Sequence, residues 1–136
     1  MKITQEVDYA FRVIMYLSKL GLNQKIEAKT LSQQESIPHR FLLKLLRKLT
    51  QSKIICSFRG VSGGYALNMK PSEISLYDVI IAIDGPIFLN RCLNCPESCN
   101  KSNAAHCEIH KSLAIVQENL IKDLKSKTFD TFIKED

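Results

Sequence analysis

Apolar residues return at helical intervals near the start of the chain. Val7, Ala10, Phe11, Ile14 and Leu17 share one face, as a 3.6-residue period requires. Thr4 precedes this run with a side-chain oxygen suited to an N-cap, and Gly21 follows it. The pattern predicts a helix from about Gln5 to Leu20, with Asp8 off the main stripe. A second, short helix is predicted from about Ala28 to Gln34, and a third from near Ser36. Ser36 or Ile37 would cap the third helix, and Pro38 would take its first position, where a missing N–H costs nothing. Phe41, Leu42, Leu45, Leu46 and Leu49 form its buried stripe; His39, Arg40, Leu43, Lys44, Arg47 and Lys48 fall on the other side.

The period then changes. Ile54-Ile55-Cys56-Ser57-Phe58 is rich in β-branched and aromatic residues and reads as a strand. Arg59-Gly60-Val61-Ser62-Gly63-Gly64 is a turn and Tyr65-Ala66-Leu67-Asn68 the return strand. A fourth helix starts at Ser75, where Ser75 and Asp78 resemble a capping box, and Asp84-Gly85-Pro86 stops it. A cysteine-rich loop covers about 91–106. A long helix follows from roughly Cys107 to Lys125, with Ile109, Leu113, Val116, Leu120 and Leu124 as one thin apolar stripe. So narrow a stripe on a long terminal helix fits a partner helix in a homodimer. The expected fold class is mainly α with a small β-hairpin wing.

Helix, short turn, basic-faced helix and glycine-tipped hairpin, in that order, form a winged helix-turn-helix. Charge supports a polyanion partner. Residues 1–70 carry 12 Lys and Arg against 4 Asp and Glu, whereas 71–136 carry 7 against 10. Between Ser36 and Gly60 stand six basic residues and no acid. The division expected is a DNA-binding domain over 1–70, whose first helix also meets the dimer partner, and a linker helix, cysteine loop (91–107) and dimerisation helix over 71–136. No apolar run is long enough for a membrane span, and the start lacks the apolar core of a signal peptide, so a cytoplasmic protein is expected.

Four of the five cysteines, Cys92, Cys95, Cys99 and Cys107, fall within sixteen residues. In a cytoplasmic protein such a cluster favours a metal site over disulfides. Thiolates are soft ligands suited to iron–sulfur clusters or to zinc. Cys56 stands alone in a wing strand as a small apolar residue.

With these elements in this order, the sequence resembles the IscR/NsrR group of bacterial regulators, the Rrf family. The carriers are Asp8-Tyr9-Ala10, Ile37 through Leu46, the wing Arg59-Gly60-Val61-Ser62-Gly63-Gly64-Tyr65, three loop cysteines before the long helix, and Thr128-Phe129-Asp130-Thr131-Phe132 after it. The resemblance spans nearly the whole chain and implies a homodimer on palindromic double-stranded DNA, with recognition helices in major grooves and wings at the minor groove. The implied DNA-contacting set is His39, Arg40, Phe41, Lys44, Arg47, Lys48, Arg59, Gly60, Ser62 and Gly63. Lys48 is expected on phosphate and Arg59 in the minor groove. Leu43 departs from relatives that carry a polar or acidic base reader there, so their operators do not transfer.

The resemblance also implies a two-iron or four-iron cluster on Cys92, Cys99 and Cys107, although the gaps of six and seven residues differ from the relatives' five. The fourth ligand is open. It is Asp8 from the partner subunit in one type and His110 in another, and Cys95 would complete an all-thiolate set. Asp8 can instead pair with Arg12 one turn on. The expected function is transcription regulation, repression included, with DNA affinity set by cluster, redox, iron or nitric oxide status. A zinc-bound or apo regulator of the same fold is the alternative. No enzyme is expected, and no small-molecule substrate. Cys92-x2-Cys95 matches a redox pair in spacing, but no βαβ pattern surrounds it.

Overall fold

The computed structural model describes residues 1–133. Its helices are α1 (Gln5–Leu20), α2 (Ala28–Glu35), α3 (His39–Gln51), α4 (Leu76–Asp84), α5 (Arg91–Asn94) and α6 (Glu108–Ser126). Strands β1 (Ile55–Phe58) and β2 (Gly64–Leu67) form an antiparallel hairpin after α3, in register Ile55 with Leu67 and Phe58 with Gly64. The mainly α fold with a hairpin wing is therefore observed.

Local chemistry sets the ends. Thr4 accepts the Val7 N–H at 3.2 Å and caps α1. Ser75 and Asp78 cap each other's backbone N–H groups at the start of α4, the full reciprocal box. The entry to α3 differs from the expected one. Ser36 adopts a left-handed conformation (φ 54°) and ends α2. Pro38 is the capping residue rather than the first helical one, and its carbonyl accepts the Leu42 N–H at 3.0 Å. Pro38 itself is extended (φ −54°, ψ 131°), so the helix starts after it.

The core lies where α1, α3 and α4 meet. Ala10, Val13, Ile14 and Leu17 of α1 and Leu42, Leu45, Leu46 and Leu49 of α3 are inaccessible to solvent. Full burial of such a side chain contributes roughly 1.5–3 kcal/mol, so this cluster holds α3 rigidly in place. Phe41 is not part of it; its side chain is 52% exposed.

The hairpin is anchored by a third extended segment. Ile26 exchanges two backbone hydrogen bonds with Tyr65, each 2.9 Å. Gly64 (φ 154°) makes this approach feasible, since a Cβ there would lie 2.6 Å from the Ile26 carbonyl oxygen.

After α4 the chain forms α5 and two single 3-10 turns, 96–98 and 104–106, where an open loop was expected. Helix α6 then returns along α4: Leu89 N–H donates to Gln117 Oε1 at 2.9 Å, and Thr128 bridges to Ser75. Phe129 closes the core, packed against Phe11 and edge-on to Phe132. One cluster thus joins residues on both sides of position 70. No residue of α6 is fully buried. Leu120 and Leu124 lean on the core, while Ile109 and Val116 of the same expected stripe stay exposed, as does Ile115. The stripe is split between the chain's own core and solvent. No helix among the described residues is long and apolar enough to cross a membrane.

Candidate nucleic-acid interface and metal centre

The core side of α3 dictates its outer side. With Leu42, Leu45, Leu46 and Leu49 turned inward, His39, Arg40, Phe41, Leu43, Lys44 and Arg47 all face solvent. Among the described residues, no ion pair uses Arg40, Lys44, Arg47 or Arg59. These cations are uncommitted and open to a polyanion.

The wing adds a second exposed surface after α3. Arg59, Gly60, Val61 and Ser62 are exposed at its tip. Gly63 lies in the crook of the turn, where a Cβ would sit 2.5 Å from the Phe58 carbonyl oxygen. Only glycine closes the loop this tightly. Beside the wing, Lys25 stands 4.2 Å over the Phe58 ring, a cation–π contact that steadies the arm of the hairpin.

Two clefts flank α3. One, of about 320 Å³, is lined by Leu43, Arg47, Thr50, Gln51, Ser57 and Tyr65, between the helix and the hairpin. The other, of about 460 Å³, brings Lys29, Ser32 and Gln33 of α2 against His39. Lys29, Gln33, Gln51 and Ser57 were not singled out from the sequence. For Lys29 and Gln33 a signal existed, because the first helix of a helix-turn-helix crosses the DNA backbone. Gln51 and Ser57 meet only through the packing of helix on hairpin.

Lys48 stands apart from the other basic residues of α3. Its ammonium lies 3.0 Å from Glu6 Oε1 and donates to the Ile83 carbonyl at 3.0 Å. Lys48, expected on phosphate, is engaged within the chain, because position 48 points toward α1 and α4.

The cysteine loop forms an open pocket of about 450 Å³. Cys92, Cys99, Cys107 and His110 all line it, with Asn90, Arg91, Ser98, Asn100 and Ile109. Cys92 is carried by α5, Cys107 is the cap residue of α6, and His110 follows one turn into that helix. His110 Nδ1 is 3.1 Å from Cys92 Sγ. Backbone N–H groups of Asn103 and then Lys101 lower the Cys99 pKa by stabilising its thiolate. Cys95 behaves differently. It is exposed, and its thiol donates to Glu97 Oε2 at 2.9 Å. That bond raises the Cys95 pKa and, from the other side, lowers that of Glu97.

Asp8 is far from idle. Its carboxylate accepts from Arg12 at 3.1 Å, and Arg12 also lies over the Tyr9 ring. The local pairing expected as the alternative for Asp8 is therefore present. Among the described residues, no three His, Cys, Asp or Glu side chains converge at ligand distance on one point. The donor chemistry nevertheless suits a soft metal: three thiols and an imidazole around one pocket, with backbone N–H groups aimed at one sulfur.

Comparison with known proteins agrees with this architecture. An HTH-type, rrf2-like transcriptional regulator of Rhodobacter capsulatus is 29% identical over 137 residues, covering 96% of this chain and 91% of that one. CymR, the global cysteine regulator of B. subtilis, shares the fold at a TM-score of 0.72 and 19% identity, over 98% and 99% of the two chains. T. potens IscR does so at 0.71 and 19%, over 96% and 84%. The family model described as Rrf2, iron-dependent transcriptional regulator, matches residues 3–135. With a wing, an outward basic helix and this match across nearly its whole length, the chain belongs to the Rrf2 family of transcriptional regulators and is not an enzyme.

Proposed function

We propose that the protein is a homodimeric, sequence-specific DNA-binding regulator whose operator affinity is set by an iron–sulfur cluster. The observation that carries the cluster is the shared pocket of Cys92, Cys99 and Cys107. The fold alone names no signal, since it is shared with a global cysteine regulator as well as with IscR. The loop cysteines favour the cluster.

For DNA, α3 enters the major groove. Arg40 and Lys44 reach base edges and phosphates, and His39 reads beside them. Phe41 and Leu43, 52% and 39% exposed, offer apolar contact to thymine methyl groups. Arg47, with Gln51 and Ser57 in the adjoining cleft, holds the backbone. Arg59 enters a narrow minor groove, with Gly60, Ser62 and Gly63 letting the wing approach closely. The exposed Ile109 and Val116 of α6 meet a second copy, and the two-fold dimer demands a palindromic site.

Cys92, Cys99 and Cys107 would hold the cluster as thiolates. His110 is the best-placed fourth ligand within the chain, because it already lines the pocket. Asp8 of the partner subunit is the alternative, and to serve it must leave Arg12. Cys95 does not line that pocket, and to serve it must leave Glu97. When bound, the cluster supplies a redox-sensitive, reversibly lost link. Cys92, Cys99 and Cys107 would tie the loop to the start of α6, whose exposed face is proposed to meet the second copy, so gain or loss of the group would alter how two protomers sit. Affinity for DNA shifts only by the difference in interaction energy between those two arrangements.

The test is an anaerobic visible spectrum of freshly purified protein, with iron, sulfide and zinc measured on the same sample. Iron and sulfide in near-equal amounts with visible absorbance supports the reading. A colourless, zinc-loaded protein that refuses reconstitution replaces it with a structural zinc site on the same donors.

A further inference from the structure

By its place among the basic residues of α3, Lys48 belongs with the DNA contacts. Its surroundings assign it differently. The Lys48 side chain is 30% exposed and that of Glu6 21%, and their charges meet at 3.0 Å. Glu6 Oε1 is shielded from solvent and makes no aligned hydrogen bond. The ammonium charge is what compensates it, and a shielded carboxylate oxygen left without a cation is costly. The second acceptor, the Ile83 carbonyl, belongs to the last turn of α4. Carbonyls there have no partner within the helix, and a cation is favoured at that end of the helix dipole.

Lys48 thus ties three helices at one point: the first turn of α1, the body of α3 and the end of α4. Thr4 Oγ1 donates to Asp84 Oδ2 at 3.1 Å and joins α1 to α4 at the same place. From Asp84 the chain turns at Gly85 and leads to the pocket of cysteines. The knot therefore stands between the reading helix and the connection to the cysteine loop.

We infer that Lys48 is a positioning residue, which acts on DNA by fixing the angle of α3 against α1 and α4 and makes no phosphate contact. The inference rests on the DNA-binding reading above, and it separates from a phosphate role by sign. A phosphate lysine freed from its acid partner binds DNA more tightly, so Glu6→Gln would strengthen binding. A strut that loses its acid partner loosens, so Glu6→Gln weakens it.

The experiment measures affinity for a fluorescein-labelled duplex, selected by the wild-type protein from a randomised library, over a range of salt concentrations. Lys48→Met and Glu6→Gln are each expected to weaken binding about tenfold, within the range by which coupling residues act. The double variant should be no weaker than either single one. The slope of log K against log salt should stay at its wild-type value in Lys48→Met, whereas Lys44→Gln flattens it by about 0.9, the value of one phosphate contact. Lys48→Arg should recover most of the affinity, because a guanidinium can serve both acceptors. A slope about 0.9 shallower in Lys48→Met, or tighter binding by Glu6→Gln, overturns the inference. Should Lys48→Met fail to fold by circular dichroism, the sign of the Glu6→Gln effect decides alone. If no duplex is selected at all, the DNA-binding reading fails and this inference with it.

Discussion

The two ends of the molecule are built to different degrees of completeness. The reading head is closed by its own side chains: four leucines of α3 are inaccessible to solvent, and the hairpin is pinned to Ile26 by two backbone bonds. The C-terminal arm is not. Helix α6 has no fully buried residue, exposes Ile109, Ile115 and Val116, and starts beside a pocket of thiols that do not converge. A surface that must meet DNA the same way each time benefits from rigidity held within one chain. A surface that reports a signal needs a state that something else completes. On the reading proposed, that is a second copy and a cluster.

Breaking the comparison starts with the head. Leu45→Ala should cost about 2–5 kcal/mol of stability, the range for deleting a fully buried leucine, read from the midpoint of urea denaturation. A cost within the range of a surface change, about 0.5 kcal/mol, would mean that the head is not self-supporting. On the arm, Val116→Asp should leave that midpoint of the monomer almost unmoved and dissociate the dimer. Sedimentation equilibrium reads this, and an unchanged mass would remove α6 from the interface.

Smaller effects sharpen the contrast. Arg59→Ala should weaken operator binding by about 1–3 kcal/mol in every metal state, with no loss of fold. Undiminished affinity in a mobility-shift titration would end the minor-groove assignment. Ser75→Ala should lower stability by about 1 kcal/mol, the usual worth of a cap, through α4 alone. Smallest is Asp8→Ala. The exposed pair with Arg12 is worth at most about 0.5 kcal/mol, so thermal stability should barely change. If the partner's Asp8 is a ligand, the cluster should be lost faster or absorb differently, and an unaltered spectrum and lifetime leave His110 as the fourth ligand.

These contrasts show what could be read in one dimension. Both caps, Thr4 and Ser75, lay in local pattern, because a cap acts within one turn of its own helix. The wing was legible for the same reason: β-branched and aromatic residues around glycines mark a hairpin locally, although its anchor at Ile26 lies 39 positions from Tyr65 and was not legible. The four loop cysteines were legible as a group, since the spacing already confines them to one loop; the choice of Cys92, Cys99 and Cys107 among them came from the family resemblance.

The entry to α3 was misjudged by one position, where Ser36 turned left-handed to end α2 and left Pro38 as the cap. Phe41 looked like core because it is apolar and in phase. Only the placement of α1 against α3 decides that the stripe begins at Leu42. The single stripe of α6 was likewise too simple, because the helix divides it between its own core and open surface.

What the sequence by itself determined is the order of elements, their capping, the basic face of α3 and the chemistry of the loop donors. All of these depend on neighbours within a few residues. What only the tertiary structure decided is which polar groups are already spoken for. Lys48 meets Glu6 and Ile83 across two helix interfaces, and His110 comes to Cys92 from the far side of the loop. A hydrogen bond or ion pair between distant residues depends on how the helices pack, and no periodicity along the chain carries that.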